Sequence, residues 1–281
     1  MTYTTLVDTE TLACNLNSGW RLFDCRFVLT DPEEGERRYR TGHIPGAHYL
    51  HLDRDLAGTV TPRTGRHPLP IPEYLAKKLA AAGVNNSTQI VAYDDAGGAF
   101  AARLWWLLRW LGHPQVAVLD GGITQWVKEE RPVTQELPVT VPSGDFQPRP
   151  DNALWINSEV AQRQSRERTG RLLDARAPSR FRGEQESIDA VAGHVPGAVN
   201  LPFAGNVSEN SCFKSSGALR QRFEAALQGV SLAETVCMCG SGVTACHNLL
   251  AMEVAGMRGA RLYAGSWSEW IREPSRPVER G

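Results

Sequence analysis

The chain has 281 residues, a formal net charge of −1, 42% apolar and 22% charged residues. That length suits one large globular domain or two ordinary ones, and the near-neutral balance excludes the basic footprint of a nucleic-acid or anionic-membrane binder. No apolar run is long enough to span a bilayer, and the polar, acidic residues 1–10 do not read as a signal peptide, so a cytoplasmic protein is expected. The six cysteines (Cys14, Cys25, Cys212, Cys237, Cys239, Cys246) do not form the dense framework of a small secreted domain. Cys237 and Cys239 stand too close for a zinc pair and no second pair completes a ligand set, so no metal is expected.

In chain order, a strand is predicted near 21–27, followed by a long loop holding Gly42-His43-Ile44-Pro45-Gly46. A helix follows near 72–82, ended by Gly83, and then a strand at 89–93. A helix over 100–111 carries Trp105, Trp106 and Trp110 and stops at Gly112; a strand at 116–119 leads into Asp120-Gly121-Gly122. Alternating short strands and helices predict an α/β domain with a mostly parallel sheet. The proline-rich stretch 136–152 reads as a linker between a first domain, 1–135, and a second, 153–273, with 274–281 as a tail that is a loose end or a surface clasp.

The two halves repeat one another. Leu22-Phe23-Asp24-Cys25-Arg26 matches Leu172-Leu173-Asp174-Ala175-Arg176, and Gly42-His43-Ile44-Pro45-Gly46-Ala47 matches Gly193-His194-Val195-Pro196-Gly197-Ala198. The strand ending at Tyr93 matches the one ending at Met238, and Trp126 matches Trp270. Four matches in the same order, about 150 residues apart, indicate a duplicated domain rather than a solenoid.

The chemistry is expected at Cys239-Gly240-Ser241-Gly242-Val243-Thr244. A β-branched run enters it and a helical pattern over 244–255 leaves it, so the order is strand, tight loop, helix. Gly240 and Gly242 let backbone N–H groups turn inward as an anion nest, and the helix N-terminus behind adds partial positive charge. Cys239 at the mouth of that loop is placed to react as a thiolate. The equivalent position in the first half is Asp94, in Asp94-Asp95-Ala96-Gly97-Gly98, so that half has the glycines but no nucleophile.

The Asp-x-Arg strand, the Gly-His-x-Pro-Gly-Ala turn and the cysteine loop resemble the tandem rhodanese-domain sulfurtransferases over nearly the whole chain. That resemblance implies two tandem rhodanese-like domains, each a mostly parallel five-stranded sheet flanked by helices, with only the second one catalytic. The loop looks like the Cys-Gly-Ser/Thr-Gly-Val-Thr version of members that use 3-mercaptopyruvate; thiosulfate-using members carry basic residues after the cysteine, so thiosulfate is the alternative donor. The resemblance implies a Cys239 persulfide, substrate contacts from Gly240, Gly242, Val243 and Thr244, and a relay of Ser241 with His67 and Asp53. Arg180 matches a substrate-binding arginine. A second arginine expected about nine residues on is replaced by Asp189, and Arg182 is the candidate substitute. The implied acceptor is a thiol such as thioredoxin or glutathione, a sulfur-relay protein, or cyanide, and no cofactor is needed.

His43 and His194 occur in their turns whether or not the half carries a cysteine, which points to a structural use. The tryptophans are expected in the core, with Trp267 and Trp270 as candidate pocket walls. A fold-related phosphatase would need Cys-x₅-Arg, and the sixth residue after Cys239 is Ala245. A non-enzymatic persulfide carrier or protein-binding module would need only a reactive Cys239 and a docking surface.

Overall fold

The computed structural model describes residues 2–281. They form two five-stranded, all-parallel sheets with the same topology. The first contains β1 (Leu6–Val7), β2 (Arg21–Asp24), β3 (Ala47–Tyr49), β4 (Ile90–Tyr93) and β5 (Val116–Leu119), in the order β1-β5-β4-β2-β3. The second contains β6 (Trp155–Ile156), β7 (Arg171–Asp174), β8 (Val199–Asn200), β9 (Thr235–Met238) and β10 (Arg261–Tyr263), in the order β6-β10-β9-β7-β8. Every residue of β4, β5 and β9 is buried, as expected of parallel strands covered by helices on both faces. No helix among the described residues is long and apolar enough to cross a membrane, and no disulfide forms.

The two compact units are not contiguous in sequence. The first takes the chain up to Gly58, Pro70–Asp151 and Val207–Phe213; the second takes Thr59–Leu69, Asn152–Asn206 and Lys214–Gly281. The short segment 59–69 is therefore part of the unit that contains Cys239.

Local chemistry sets the element ends. The first β-strand motif, expected over 21–27, stops at Asp24, because the Asp24 carboxylate accepts the Arg26 backbone N–H at 2.9 Å and turns the chain. The Arg26 guanidinium folds back on Asp24 at 2.6 Å and donates to Gly42 O at 2.7 Å, fastening the strand end to the glycine–histidine turn. The second unit repeats this lock: Arg176 donates to Asp174 at 2.7 Å and to Gly193 O at 2.9 Å. His43 Nδ1 lies 2.8 Å from Tyr39 O and its ring stacks on Tyr39; His194 Nδ1 lies 2.8 Å from Phe181 O and stacks on Phe181. Both histidines thus hold backbone in place. Helix Thr9–Asn15 is capped by Asp8 and helix Ser158–Glu167 by Asn157, each side chain accepting a first-turn N–H.

The two cores match position by position. Trp126 and Trp270 are fully buried, and their indole N–H groups donate to Pro132 O and Pro277 O. Around Trp126 pack Leu22, Ile44, Val91 and Leu119; around Trp270 pack Leu172, Val195, Val236 and Tyr263. Each of the Leu, Ile and Val side chains contributes roughly 2 kcal/mol when fully buried. The tail is a clasp rather than a loose end: Glu279 exchanges backbone hydrogen bonds with His194, as Thr134 does with His43 in the first unit. Trp267 and Trp270 are wholly buried, so they are core residues and not walls of an open pocket.

At the C-terminal end of β4 the first unit satisfies its own loop. The fully buried Asp94 carboxylate accepts four backbone N–H groups: Ala96 and Gly98 on one oxygen, Phe100 and Ala101 on the other, all at 2.8–2.9 Å. Burial pushes this carboxyl up from its ordinary value and the four donors oppose that. Removing it strands buried donors. Asp94→Ala should lower the stability of the protein by about 3 kcal/mol in urea unfolding, and Asp94→Asn should not restore it, because its NH₂ would face two N–H donors.

Candidate functional site

In the second unit the same place is taken by Cys239. Strand β9 ends at Met238, and helix Thr244–Val254 begins five residues after the cysteine. Cys239 is 2% exposed. Its sulfur accepts the Gly242 N–H at 3.1 Å. Its own N–H donates to Ser266 Oγ at 3.0 Å, and Ser266 in turn donates to Tyr263 O at 2.9 Å. The Cys239 and Gly240 carbonyls accept from Trp267 N and Ser268 N, so the loop is pinned beside the cysteine. The N–H on the sulfur and the helix N-terminus behind it direct partial positive charge at this point of the loop.

Gly242 has φ +79°, and a Cβ there would stand 2.3 Å from Ala264 O. Only glycine lets this loop close on the strand beside it while presenting its N–H to sulfur. Val243 is buried at the helix start and Thr244 opens the first turn, half-buried.

Ser241 and His67 meet. His67 Nδ1 is 2.7 Å from Ser241 Oγ, and both residues are buried. The contact exists because segment 59–69 packs within this unit: Arg66 N donates to Ser268 Oγ at 3.1 Å, and a Cβ on Gly65 would clash with Gly265 O. Asp53, the third residue of the expected relay, belongs to the first unit, exposed on helix Leu52–Asp55, with its backbone N–H donating to His51 Nδ1 at 3.1 Å.

Arg180 and Arg66 approach the loop. A Cβ on Gly240 would lie 2.9 Å from Arg66 Nη2 and 3.6 Å from Arg180 Nη1, so the missing side chain makes room for the two guanidinium groups. Arg180 donates through Nε and Nη2 to both oxygens of Glu186 at 2.8–3.1 Å and through Nη2 to Asp189 at 2.9 Å. Asp189 also pairs with Arg66. Burial opposes ionisation of Glu186, but Arg180 and the N–H groups of Ile188 and Asp189 hold its carboxyl below its ordinary value. Burial pushes the Asp189 carboxyl up, with Arg66 the strongest opposing influence. Arg182, the expected substitute arginine, is not part of this cluster; it forms an exposed pair with Glu184 at 2.7 Å.

Arg66 and Glu186 were missed by sequence reasoning. The signal for Arg66 was its place beside His67, and for Glu186 its place six residues after Arg180, at a distance bridged by a loop rather than a helix turn. Among the described residues, no group of His, Cys, Asp and Glu side chains is arranged to hold a metal.

The model of the rhodanese-like domain matches residues 8–129 and again 157–273. A Pseudomonas aeruginosa protein named as a probable 3-mercaptopyruvate sulfurtransferase is 50% identical over 279 residues, 98% of each chain. The thiosulfate sulfurtransferase of Rattus norvegicus is 33% identical, over 99% of this chain and 96% of its own. Among solved structures, the 3-mercaptopyruvate sulfurtransferase of Leishmania major superposes with a TM-score of 0.85 at 28% identity, covering 96% of this chain and 76% of that one. A 3-mercaptopyruvate sulfotransferase of Escherichia coli superposes at 0.81 with 31% identity, covering 95% and 100%.

Gly242→Ala combines a disfavoured φ with a backbone clash. It should cost about 3 kcal/mol of stability, read as a lowered unfolding midpoint. Gly46→Ala, at φ +80° but with no atom near the new Cβ, should cost clearly less.

Proposed function

The chain belongs to the rhodanese family and is a sulfurtransferase; from that premise we propose that its donor is 3-mercaptopyruvate, that Cys239 carries the sulfur as a persulfide, and that a thiol or cyanide receives it. The observation that carries this reading is the neutral loop after the cysteine, whose Ser241 hydroxyl is hydrogen-bonded to His67 while Gly242 N–H serves the sulfur.

The steps follow from the groups present. The Cys239 thiolate attacks the thiol sulfur of 3-mercaptopyruvate. The new S–S bond forms as the C–S bond breaks, and the electron pair leaves on carbon as the enolate of pyruvate. The donor's thiol proton passes to the Ser241–His67 pair and from there to the enolate, giving pyruvate. The enzyme retains Cys239–S–S⁻, whose charge faces the helix N-terminus. An acceptor thiolate or cyanide then attacks the outer sulfur, forming a persulfide or thiocyanate and restoring the Cys239 thiolate. Thioredoxin and glutathione are acceptors of the right chemistry.

Charge supports a singly charged donor. Arg66 and Arg180 suit one carboxylate, and Asp189 and Glu186 already offset much of their positive charge. The dianion thiosulfate meets a site with little surplus positive charge. Thiosulfate is the second reading, because relatives such as the rat protein carry that name.

The test is kcat/KM for 3-mercaptopyruvate and for thiosulfate, with cyanide as acceptor. A clear mercaptopyruvate preference is expected, with Cys239→Ser inactive toward both; a thiosulfate preference would reverse the donor assignment. His67→Ala should lower kcat with mercaptopyruvate by roughly a hundredfold. Thiosulfate has no thiol proton to move, so its turnover should change little. An equal loss with both donors would remove the proton-transfer role.

A further inference from the structure

The duplication makes the two units mutual controls, and at one position they differ in volume. Ile123 N donates to Asp94 O, and Trp267 N donates to Cys239 O, so Ile123 and Trp267 occupy equivalent places. The residue before each has a left-handed backbone, Gly122 at φ +57° and Ser266 at φ +52°. In the second unit the Trp267 indole is fully buried. It lies against the Arg176 guanidinium, 4.8 Å from ring centroid to Cζ, and donates to Val191 O at 2.9 Å. In the first unit the matching arginine, Arg26, makes the same bonds to Asp24 and the glycine turn. No aromatic ring covers it among the described residues.

A cleft of about 650 Å³ opens there, bordered by Arg26, Thr41, Gly42, Ile123, Val127 and Val133. Its volume falls within the range of small-molecule sites. Val127 and Val133 are about half exposed on its wall, whereas Ile271, which matches Val127, packs against the core around Trp267. The rim carries Arg37 and Arg38, both paired with Glu34, and Asp95, which also pairs with Arg38. Apolar walls, the nearly buried Arg26 side chain that reaches the cleft with 7% of its surface exposed, and a charge-balanced rim define a receptor for a flat, uncharged ring.

We propose that this cleft binds a small neutral planar aromatic molecule, whose ring takes the place that the Trp267 indole takes in the second unit and touches the part of Arg26 that reaches the cleft. The site lies in the unit that lacks the nucleophile and is separate from the Cys239 loop in sequence and in fold. Its chemistry is apolar burial against Ile123, Val127 and Val133 with a cation at the ring. Asp94 fills the anion nest beside it, so an anionic group gains nothing by reaching deeper.

Indole is the probe, titrated into the full chain with its isoleucine methyl groups carbon-13 labelled. The Ile123 methyl resonance, assigned with Ile123→Val, should move upfield by ring current along a one-site saturation curve. Cyclohexanol, similar in bulk but without a π face, should bind more weakly. Ile123→Trp should fill the cleft with its own indole, abolish indole binding, raise the melting temperature and leave sulfur transfer unchanged. Unmoved Ile123 methyls at saturating indole would overturn the proposal, as would equal binding of cyclohexanol. Indole binding that persists in Ile123→Trp would place the ligand elsewhere and overturn it too.

Discussion

The organising constraint of this molecule is a cluster of backbone N–H groups at the C-terminal end of a central parallel strand. The chain leaves β4 and β9 through a tight glycine-bearing loop and enters a helix, so unsatisfied donors converge on one point in each unit. Something electron-rich must sit there. In the first unit it is the Asp94 carboxylate, saturated by four N–H groups. In the second it is the Cys239 sulfur, which holds one of them. The same backbone feature surrounds a carboxylate in one half and a thiol in the other, and a single side chain makes the difference.

Around the reactive loop, charge is organised as a closed set rather than a bare positive patch. Arg66, Arg180, Glu186 and Asp189 bind one another so that each guanidinium near Gly240 has a carboxylate partner. Such a set keeps two arginines in place without a ligand. The loss of an arginine at position 189 is thereby compensated from an unexpected direction, since Arg66 arrives from segment 59–69.

Duplication preserved the scaffold with high fidelity and varied what lies on it. The Asp-x-Arg lock, the histidine stacked on its neighbour in the glycine turn, the buried tryptophan bonded to a proline carbonyl and the backbone bridge to the histidine all occur twice. The departures are small in number and large in effect: Asp94 against Cys239, Gly122 against Ser266, Ile123 against Trp267. Ser266 accepts the strained backbone that glycine adopts elsewhere, and its hydroxyl accepts the Cys239 N–H, so local strain there helps to hold the cysteine in place.

Much of this was legible in one dimension. Hydrophobic runs flanked by glycine turns identified the strands and the α/β class, the repeated motifs identified the duplication, and Cys239 against Asp94 identified which half carries a cysteine in its loop, because all of these depend on residues adjacent in the chain. The end of β2 was not legible, since it depends on a side chain bending back to its own backbone at Arg26. The burial of Trp267 was not legible either, because glycine and serine before it resemble an open loop until the Arg176 face is seen beneath the ring. The His67–Ser241 contact joins residues 174 apart and the Arg66–Asp189 pair joins residues 123 apart. Local sequence determines which groups are available and what conformations their backbone allows. Which charges and hydroxyls meet is decided only when the chain packs, because hydrogen bonds and ion pairs act over a few ångströms in space regardless of distance along the chain.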